Sequence, residues 1–463
     1  MRNSLIDALQ DRLGPHGVLQ GADAGGRYAS DASLVNAQAP VAVLRPASTD
    51  EVSFILRSCH AAGQPLVIQG GLTGLCGGAT PHAGEIALSL ERMHTIEEVD
   101  REAMTLTVQA GTPLETIQNA AAEAGFRFPL DLGARGSCAI GGNISTNAGG
   151  NEVIRYGMTR NLVLGLEVVL ADGTVITSMN KMLKNNAGFD LKQIFIGTEG
   201  TLGVVTRAVL RLFPRPLTRF AALCALNSLD DVIKFLHHLQ LNLAGGLSAF
   251  EVMWDDYFNH ILAHIPALKS PFKQEHPIYV LIEFEGSQEK SDEETFTDTL
   301  GEAVEAQWLV DAAIAKSEKE MEQFGRIRDG VAEILPKFAP LGAANFDISI
   351  PVGSLDRMLR AINADLCVAF SEVTKLAFGH LGDSNLHLLI SSGNPADTDR
   401  IYDIVYRRVG ELQGSISAEH GIGMSRRKHL HRSRSAEEIA LMQKSKSVLN
   451  PKGILNPGRV LPD

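Results

Sequence analysis

The chain has 463 residues, 44% apolar and 21% charged, enough for two or three domains around sizeable cores. A formal charge of −12 with scattered Lys and Arg gives a polyanion no basic stripe, so no nucleic-acid partner is expected. The five cysteines, Cys59, Cys76, Cys138, Cys224 and Cys367, form no CxxC pair for zinc or an iron–sulfur cluster and read as reduced thiols of a cytoplasmic protein.

The opening stretch MRNSLIDALQDRLG mixes acidic residues with a helical apolar period, so no signal peptide is expected there. No apolar run approaches the roughly 18 residues that cross a bilayer, so no transmembrane segment is expected either. VAVLRPAS, PLVIQG, EIALSL, TLTVQAG and LVLGLEVVLADGTVI follow as strands, with TDEVSFILRSCHAAG and TPLETIQNAAAEAG as capped helices between them. These elements predict an α/β or α+β domain over 1–217. Beyond FPRPLTR, amphipathic helices (SLDDVIKFLHHLQ, VGSLDRMLRAINADL, DTDRIYDIVYRRVGELQG) alternate with strands (IYVLIEFEG, ANFDISIPV, KLAFGHLG, LHLLIS). They predict a second α+β domain with an antiparallel sheet over 218–414, followed by a Pro/Gly-punctuated C-terminal segment, 415–463.

Three glycine-rich loops stand out, each joined to a strand. The first, QGGLTGLCGG, offers Gln69, Gly70, Gly71, Leu72, Thr73, Gly74 and Leu75 after PLVI. Glycine has no Cβ to keep phosphate oxygens away from backbone N–H groups. The loop is neither a Walker A pattern nor a Rossmann GxGxxG, which disfavours a nicotinamide enzyme. The second loop, Leu130–Gly157, sets Ser137, Asn143, Thr146 and Asn147 among seven glycines. The third, FIGTEGTLGVVTRA, supplies Gly197, Glu199, Gly200 and Gly203. Together they predict a long ligand held by backbone along most of its length, as a dinucleotide would be.

GHLGDSNLHLL places His380 and His387 on either side of a turn, where two hairpin strands can bring them to one face. Two such histidines are also compatible with ordinary core residues. Glu419, in SAEHGIG, would complete a two-His, one-carboxylate metal set with an open position.

Taken together, QGGLTGLCGG, GSCAIGGNISTNAGG, YGMTRNLVLGLEVVLADG, IGTEGTLGVVT and NPKGILNPGR resemble the FAD-linked oxidases of the vanillyl-alcohol oxidase type. Within that superfamily the chain is similar to the FAD-linked D-2-hydroxyacid dehydrogenases, above all their hydroxyglutarate branch, from about Tyr28 to Pro462. The resemblance implies an α+β fold: a vanillyl-alcohol-oxidase-type FAD-binding domain, an α+β cap domain on an antiparallel sheet, and a C-terminal segment returning to the first domain. It implies non-covalent FAD whose pyrophosphate lies on the first loop and on Asp131, Gly136, Ser137, Gly141, Gly142, Asn143, Thr146, Asn147 and Gly149 of the second. Glu199, Gly200, Gly203, Val204 and Val205 would line the adenine and ribose side, and Asn456 would approach the isoalloxazine.

The resemblance further implies His380, His387 and Glu419 as metal ligands, His420 as base and Arg328 as the cation for the substrate carboxylate. Zinc is the first expectation for these N and O donors, with manganese or cobalt open. The implied reaction oxidises a small D-2-hydroxy acid and passes electrons to an acceptor protein or a quinone; a homodimer stays open. Ala332, Asn345 and Leu389 stand where the hydroxyglutarate pattern carries Thr, Lys and Asn. A shorter or less polar substrate such as lactate is one reading of that departure, and a different cation such as Lys337 or Arg326 is another. A flavin transferase of the ether-lipid synthase type and the flavin subunit of a multi-protein glycolate oxidase are the alternatives.

Overall fold

The computed structural model describes residues 2–243 and 245–462. They divide into two compact units, Met1–Gly150 with Gly157–Arg215 and Glu419–Asp463, and Asn151–Tyr156 with Pro216–Ala418. The division differs from the sequence-based bounds in three places, the smallest being the first boundary, which falls after Arg215 instead of Leu217. Asn151–Tyr156 goes with the second unit because its helix Val153–Tyr156 packs on strand Leu247–Trp254, with Arg155 Nη1 3.1 Å from Glu285 Oε2. Residues 415–418 go there too, because Ser415 pairs with Ser349 in a β-bridge.

The first unit holds a four-stranded and a five-stranded sheet. The four-stranded sheet runs Val18–Leu19, Val43–Leu44, Ile86–Ser89, Leu66–Gln69, with the last three parallel. Helix Thr49–Ala62 makes the crossover. It starts where Ser48 Oγ accepts the Glu51 N–H at 3.2 Å and stops at Gly63, whose φ of +66° suits glycine. Val52, Ile55, Leu56 and Cys59 recur at helical spacing and are all buried, at roughly 1.5–3 kcal/mol for each large apolar side chain. The crossover delivers Leu66–Gln69 so that the first glycine loop leaves the strand's C-terminal end, where open α/β sheets bind ligands.

The five-stranded sheet is antiparallel, in the order Ile96–Asp100, Thr105–Gln109, Val204–Arg211, Val163–Val169, Val175–Ser178. LVLGLEVVLADGTVI, expected as one strand, is a hairpin. Asp172 Oδ1 accepts the Thr174 N–H at 2.9 Å and Gly173 takes a φ of +88°. The C-terminal tail is threaded into this unit: Leu455 bridges Leu66 in parallel, and Arg459 is fully buried against Glu85.

The second unit is built on one seven-stranded antiparallel sheet, in the order Asp311–Ile314, Thr218–Leu226, Ile278–Gly286, Leu247–Trp254, Thr374–His380, Asn385–Ser391, Ala344–Ser349. Helices Asp255–His264, Glu318–Asp329 and Val331–Phe338 contribute Tyr257, Phe258, Ile327, Ile334 and Phe338 to a core shared with Tyr279 and Phe378 of the sheet. The expected hairpin is present, its turn formed by Leu381–Asp383 and by Ser384 at φ +70°. Its register sets His387 between Phe378 and Asp347, and His380 opposite Glu251.

Candidate active site

In the first unit the three glycine loops converge on one cleft of about 1160 Å³, open mouth included. Gln69 is fully buried, and its Nε2 donates to the carbonyls of Tyr28 and Ala79 at 2.9 Å each, which fixes where the loop leaves its strand. Gly71 is obligatory: a Cβ there would lie 2.0 Å from the Ser137 carbonyl oxygen, so only glycine lets the first and second loops touch. Gly141, in helix Ile140–Thr146, meets the same constraint against Ala110, where a Cβ would approach Ala110 Cβ to 2.7 Å.

The cleft carries marks of a polar ligand. The Oε1 of Gln69 and the Oδ1 of Asn143 are buried and have no hydrogen-bond partner among the described residues, and both side chains line the cleft. Such groups are costly unless something completes them. An adenine dinucleotide, with N–H and O–H donors along its length, fits this lining.

Of the residues expected to hold the cofactor, Gln69–Leu75, Gly141, Gly142, Asn143, Thr146, Glu199, Gly200, Gly203, Val204, Val205 and Asn456 line the cleft. Asp131, Gly136, Ser137, Asn147 and Gly149 are not in its lining. Asp131 pairs with Arg135 at 2.8 Å, Ser137 backs Gly71, and Asn147 Oδ1 accepts the Arg160 N–H at 2.9 Å. Asn456 lines the cleft, but its amide is committed to backbone: Oδ1 accepts the Ile68 N–H at 2.8 Å and Nδ2 donates to the Glu199 carbonyl at 2.6 Å. It thereby ties the first loop to the third.

The lining also includes Asp31, Cys76 and Cys138. Asp31 accepts the Ser33 N–H at 3.1 Å and the Ala79 N–H at 3.3 Å, shaping the far end of the first loop. Nothing in its local sequence marks it. Burial pushes the Cys138 thiol up, which keeps it protonated and a poor nucleophile.

Glu419 and His420 complete the lining of the same cleft. Glu419 Oε2 accepts the Gly150 N–H at 3.0 Å, and its Oε1 lies 3.5 Å from His420 Nε2. Cys76 Sγ donates to the carbonyls of His420 and Gly421 at 3.4 and 3.3 Å. The Glu199 carboxylate accepts the N–H groups of Ile422 and Gly423 at 2.7 and 2.9 Å; burial raises its pKa even against these two donors.

In the second unit His380 and His387 are both buried, with ring centroids 5.4 Å apart. His380 is held by a network the sequence did not announce. Its Nδ1 lies 2.6 Å from Glu251 Oε1, and Arg328 Nη2 lies 2.7 Å from its Nε2. Because arginine can only donate, Nε2 accepts and the proton sits on Nδ1, facing Glu251. Arg328 Nε donates to Glu251 Oε2 at 2.7 Å, and the guanidinium stands over the Phe378 ring at 5.7 Å. Burial works to raise the Glu251 carboxyl, but Arg328 and His380 outweigh it and hold the pKa down at about 2. Beside His387 stands Asp347, fully buried, with a ligand atom of each within 4.8 Å of the other. Asp347 Oδ2 accepts from Ser417 Oγ at 3.1 Å and its carbonyl accepts the Ala418 N–H at 3.1 Å. Glu251 and Asp347 are lone acids in apolar strands. Only cross-strand register shows what they face.

Residues 40–178 match the FAD binding domain family, and residues 215–460 match the C-terminal domain of the FAD linked oxidases. The fold agrees: p-cresol methylhydroxylase superposes with a TM-score of 0.78 over 99% of this chain and 96% of that one, at 16% identity. The chain therefore belongs to the FAD-linked oxidases, with their FAD-binding domain and an α+β second domain on an antiparallel sheet. It is 40% identical to a D-2-hydroxyglutarate dehydrogenase of Xanthomonas citri, over 91% of this chain and 89% of that protein. It is 37% identical to a putative mitochondrial D-lactate dehydrogenase of Schizosaccharomyces pombe, over 89% of this chain and 80% of that protein. Within the family it is an FAD-dependent dehydrogenase of the D-2-hydroxyacid type. Among the described residues no helix is long and apolar enough to cross a membrane.

Proposed function

We propose that the protein oxidises a D-2-hydroxy acid to the 2-oxo acid, with FAD held non-covalently in the glycine-lined cleft and a divalent metal, zinc first, at His387 and Glu419. The observation that carries this reading is that Glu419 and His420 line the same cleft as the three glycine loops. The substrate class follows from the relatives, whose names specify D-2-hydroxyglutarate and D-lactate.

Bound FAD supplies the acceptor for the two electrons that leave with the substrate C–H, and a bound metal supplies Lewis-acid activation of its hydroxyl. His420 accepts the hydroxyl proton at its imidazole. Arg328 receives the substrate carboxylate, with Glu251 as the counter-ion that keeps its guanidinium in place. The protonated Cys138 thiol supports a flavin held without a covalent tether. For the third ligand the donor chemistry offers His380 or Asp347. Asp347 is favoured, because both ring nitrogens of His380 already face Glu251 and Arg328. Electrons then pass to a carrier protein or quinone, and reduced thiols fit work in the cytoplasm.

Leu389 is 1% exposed and packed into the apolar core, Ala332 lies on the surface, and Asn345 is register-paired with Leu389. Arg326 reaches Glu333 at 3.8 Å and Lys337 is exposed. It is the identities at these positions, Ala, Asn and Leu where the hydroxyglutarate pattern has Thr, Lys and Asn, that favour a substrate with a shorter or less polar tail than hydroxyglutarate. Anaerobic bleaching of the flavin with D- and L-lactate and D- and L-2-hydroxyglutarate, with and without chelator, tests all parts together. D acids should bleach it, lactate faster, and only without chelator. Bleaching by L acids alone, or full bleaching in chelator, would overturn the reading.

A further inference from the structure

Glu199 lines the flavin cleft, yet both of its carboxylate oxygens are turned to the chain segment that follows His420. Oε1 accepts the N–H of Ile422 at 2.7 Å and Oε2 the N–H of Gly423 at 2.9 Å. The surrounding backbone leaves room for this: a Cβ on Gly421 would come within 2.8 Å of Oε1, and one on Gly78 within 3.1 Å of Oε2. Glu199 is itself anchored at both ends of its peptide unit. Its N–H donates to Ser145 O at 2.8 Å and its carbonyl accepts Asn456 Nδ2 at 2.6 Å, while its φ of +50° turns the side chain out of the loop.

The same segment is gripped elsewhere as well. Cys76 Sγ reaches the His420 and Gly421 carbonyls, and Cys76 O accepts the N–H groups of Met424 and Ser425 at 2.8 and 3.2 Å. Arg426 Nη1 donates to Gly421 O at 3.0 Å, and the Val460 N–H to Gly423 O at 3.0 Å. Cys76 O takes the consecutive amides of Met424 and Ser425 on one oxygen, whereas Glu199 takes those of Ile422 and Gly423, the amides nearest His420, with a separate carboxylate oxygen for each.

We infer that Glu199 is a positioning residue for His420, holding the backbone that carries the base against the flavin cleft, and that its carboxylate contacts neither flavin nor substrate. This rests on the reading of His420 as the base. A glutamine at 199 keeps one acceptor and aims an N–H₂ at the other amide donor, so the segment has to shift to relieve it. Displacements of that kind slow a reaction without weakening binding, by up to about 100-fold for a shift of about 1 Å.

The test is stopped-flow flavin reduction by D-lactate and D-2-hydroxyglutarate in the flavin-loaded full chain. Glu199→Gln should lower the limiting rate constant about 10- to 100-fold. Flavin content, the visible flavin spectrum and the half-saturating substrate concentration should stay as in the unmodified protein, and the pH profile of the limiting rate should move. Gly78→Ala, which presses on the same carboxylate without a positive φ, should give the same signature and serves if Glu199→Gln does not fold. An unchanged rate in Glu199→Gln overturns the inference, as does a slower rate accompanied by lost flavin or weaker substrate saturation. His420→Gln is measured alongside. If it reduces flavin at the unmodified rate, the reading of His420 as the base is what fails; if it is slow while Glu199→Gln is fast, only the role of Glu199 fails.

Discussion

Gly142 separates the fold from the cofactor it is built to hold. It lies inside helix Ile140–Thr146 and lines the cleft, and a Cβ built on it meets no protein atom within 4 Å. Gly142→Ala should therefore have two effects of opposite sign. A glycine in a helix interior costs roughly 0.5–1 kcal/mol relative to alanine, so the flavin-free variant should gain about that much and melt about 1–4 °C higher. The new methyl group also projects into space the flavin needs. Overpacking of this kind costs typically 1–3 kcal/mol, which weakens FAD binding about 5- to 150-fold. Thermal unfolding of the deflavinated protein by circular dichroism reads the first effect, and titration with FAD followed by flavin fluorescence reads the second. Unchanged FAD affinity would refute the placement of the cofactor against this helix, and a lower melting temperature would refute the account of the open face.

Three further outcomes are expected. Glu85→Gln leaves the fully buried Arg459 without its carboxylate, 2.5 and 2.8 Å away, and should cost about 3–5 kcal/mol, seen as a lower urea midpoint at constant slope; a loss below about 1 kcal/mol would mean the pair is not what holds the tail. His387→Ala, or removal of metal by chelator, should abolish flavin reduction by D-2-hydroxy acids while the protein stays yellow; loss of flavin along with activity would make His387 structural instead. Of the five thiols only Cys367 is exposed, and burial pushes Cys59 up to about 12, so a thiol reagent at pH 8 should label one cysteine in the native protein and five after denaturation. Rapid labelling of a second site would contradict the burial.

The glycine loops were legible because their signal is local. Glycines beside β-branched strands announce a backbone that must come close to something, and Gly71 and Gly141 do so against Ser137 and Ala110. The resemblance carried Gly136, Ser137 and Asn147 over as cofactor contacts together with the rest of their loop; they stand outside the cleft lining, because a motif carries a whole loop while the fold decides which of its residues face the cleft. Asn456 and Glu199 lie in between: both line the cleft, but their polar side-chain atoms are spent on backbone of other segments. Asp31 and Cys76 were invisible as site residues, since neither sits in a pattern that foretells its partners.

Whatever depends on neighbours within a few positions was decided by the chain alone: the Ser48 cap, the Gly63 stop, the strand-to-loop transitions and the hairpin around Gly382 and Asp383. Partner identity was not, because it depends on register between strands far apart in sequence. Glu251 meets His380 across 129 positions and Arg328 across 77, and Asp347 stands beside His387 only because their strands pair in that register. A shift of one residue would turn each of these acids to the opposite face of the sheet. The two histidines were written in the sequence, and the carboxylates that fix what they can do were supplied by the fold.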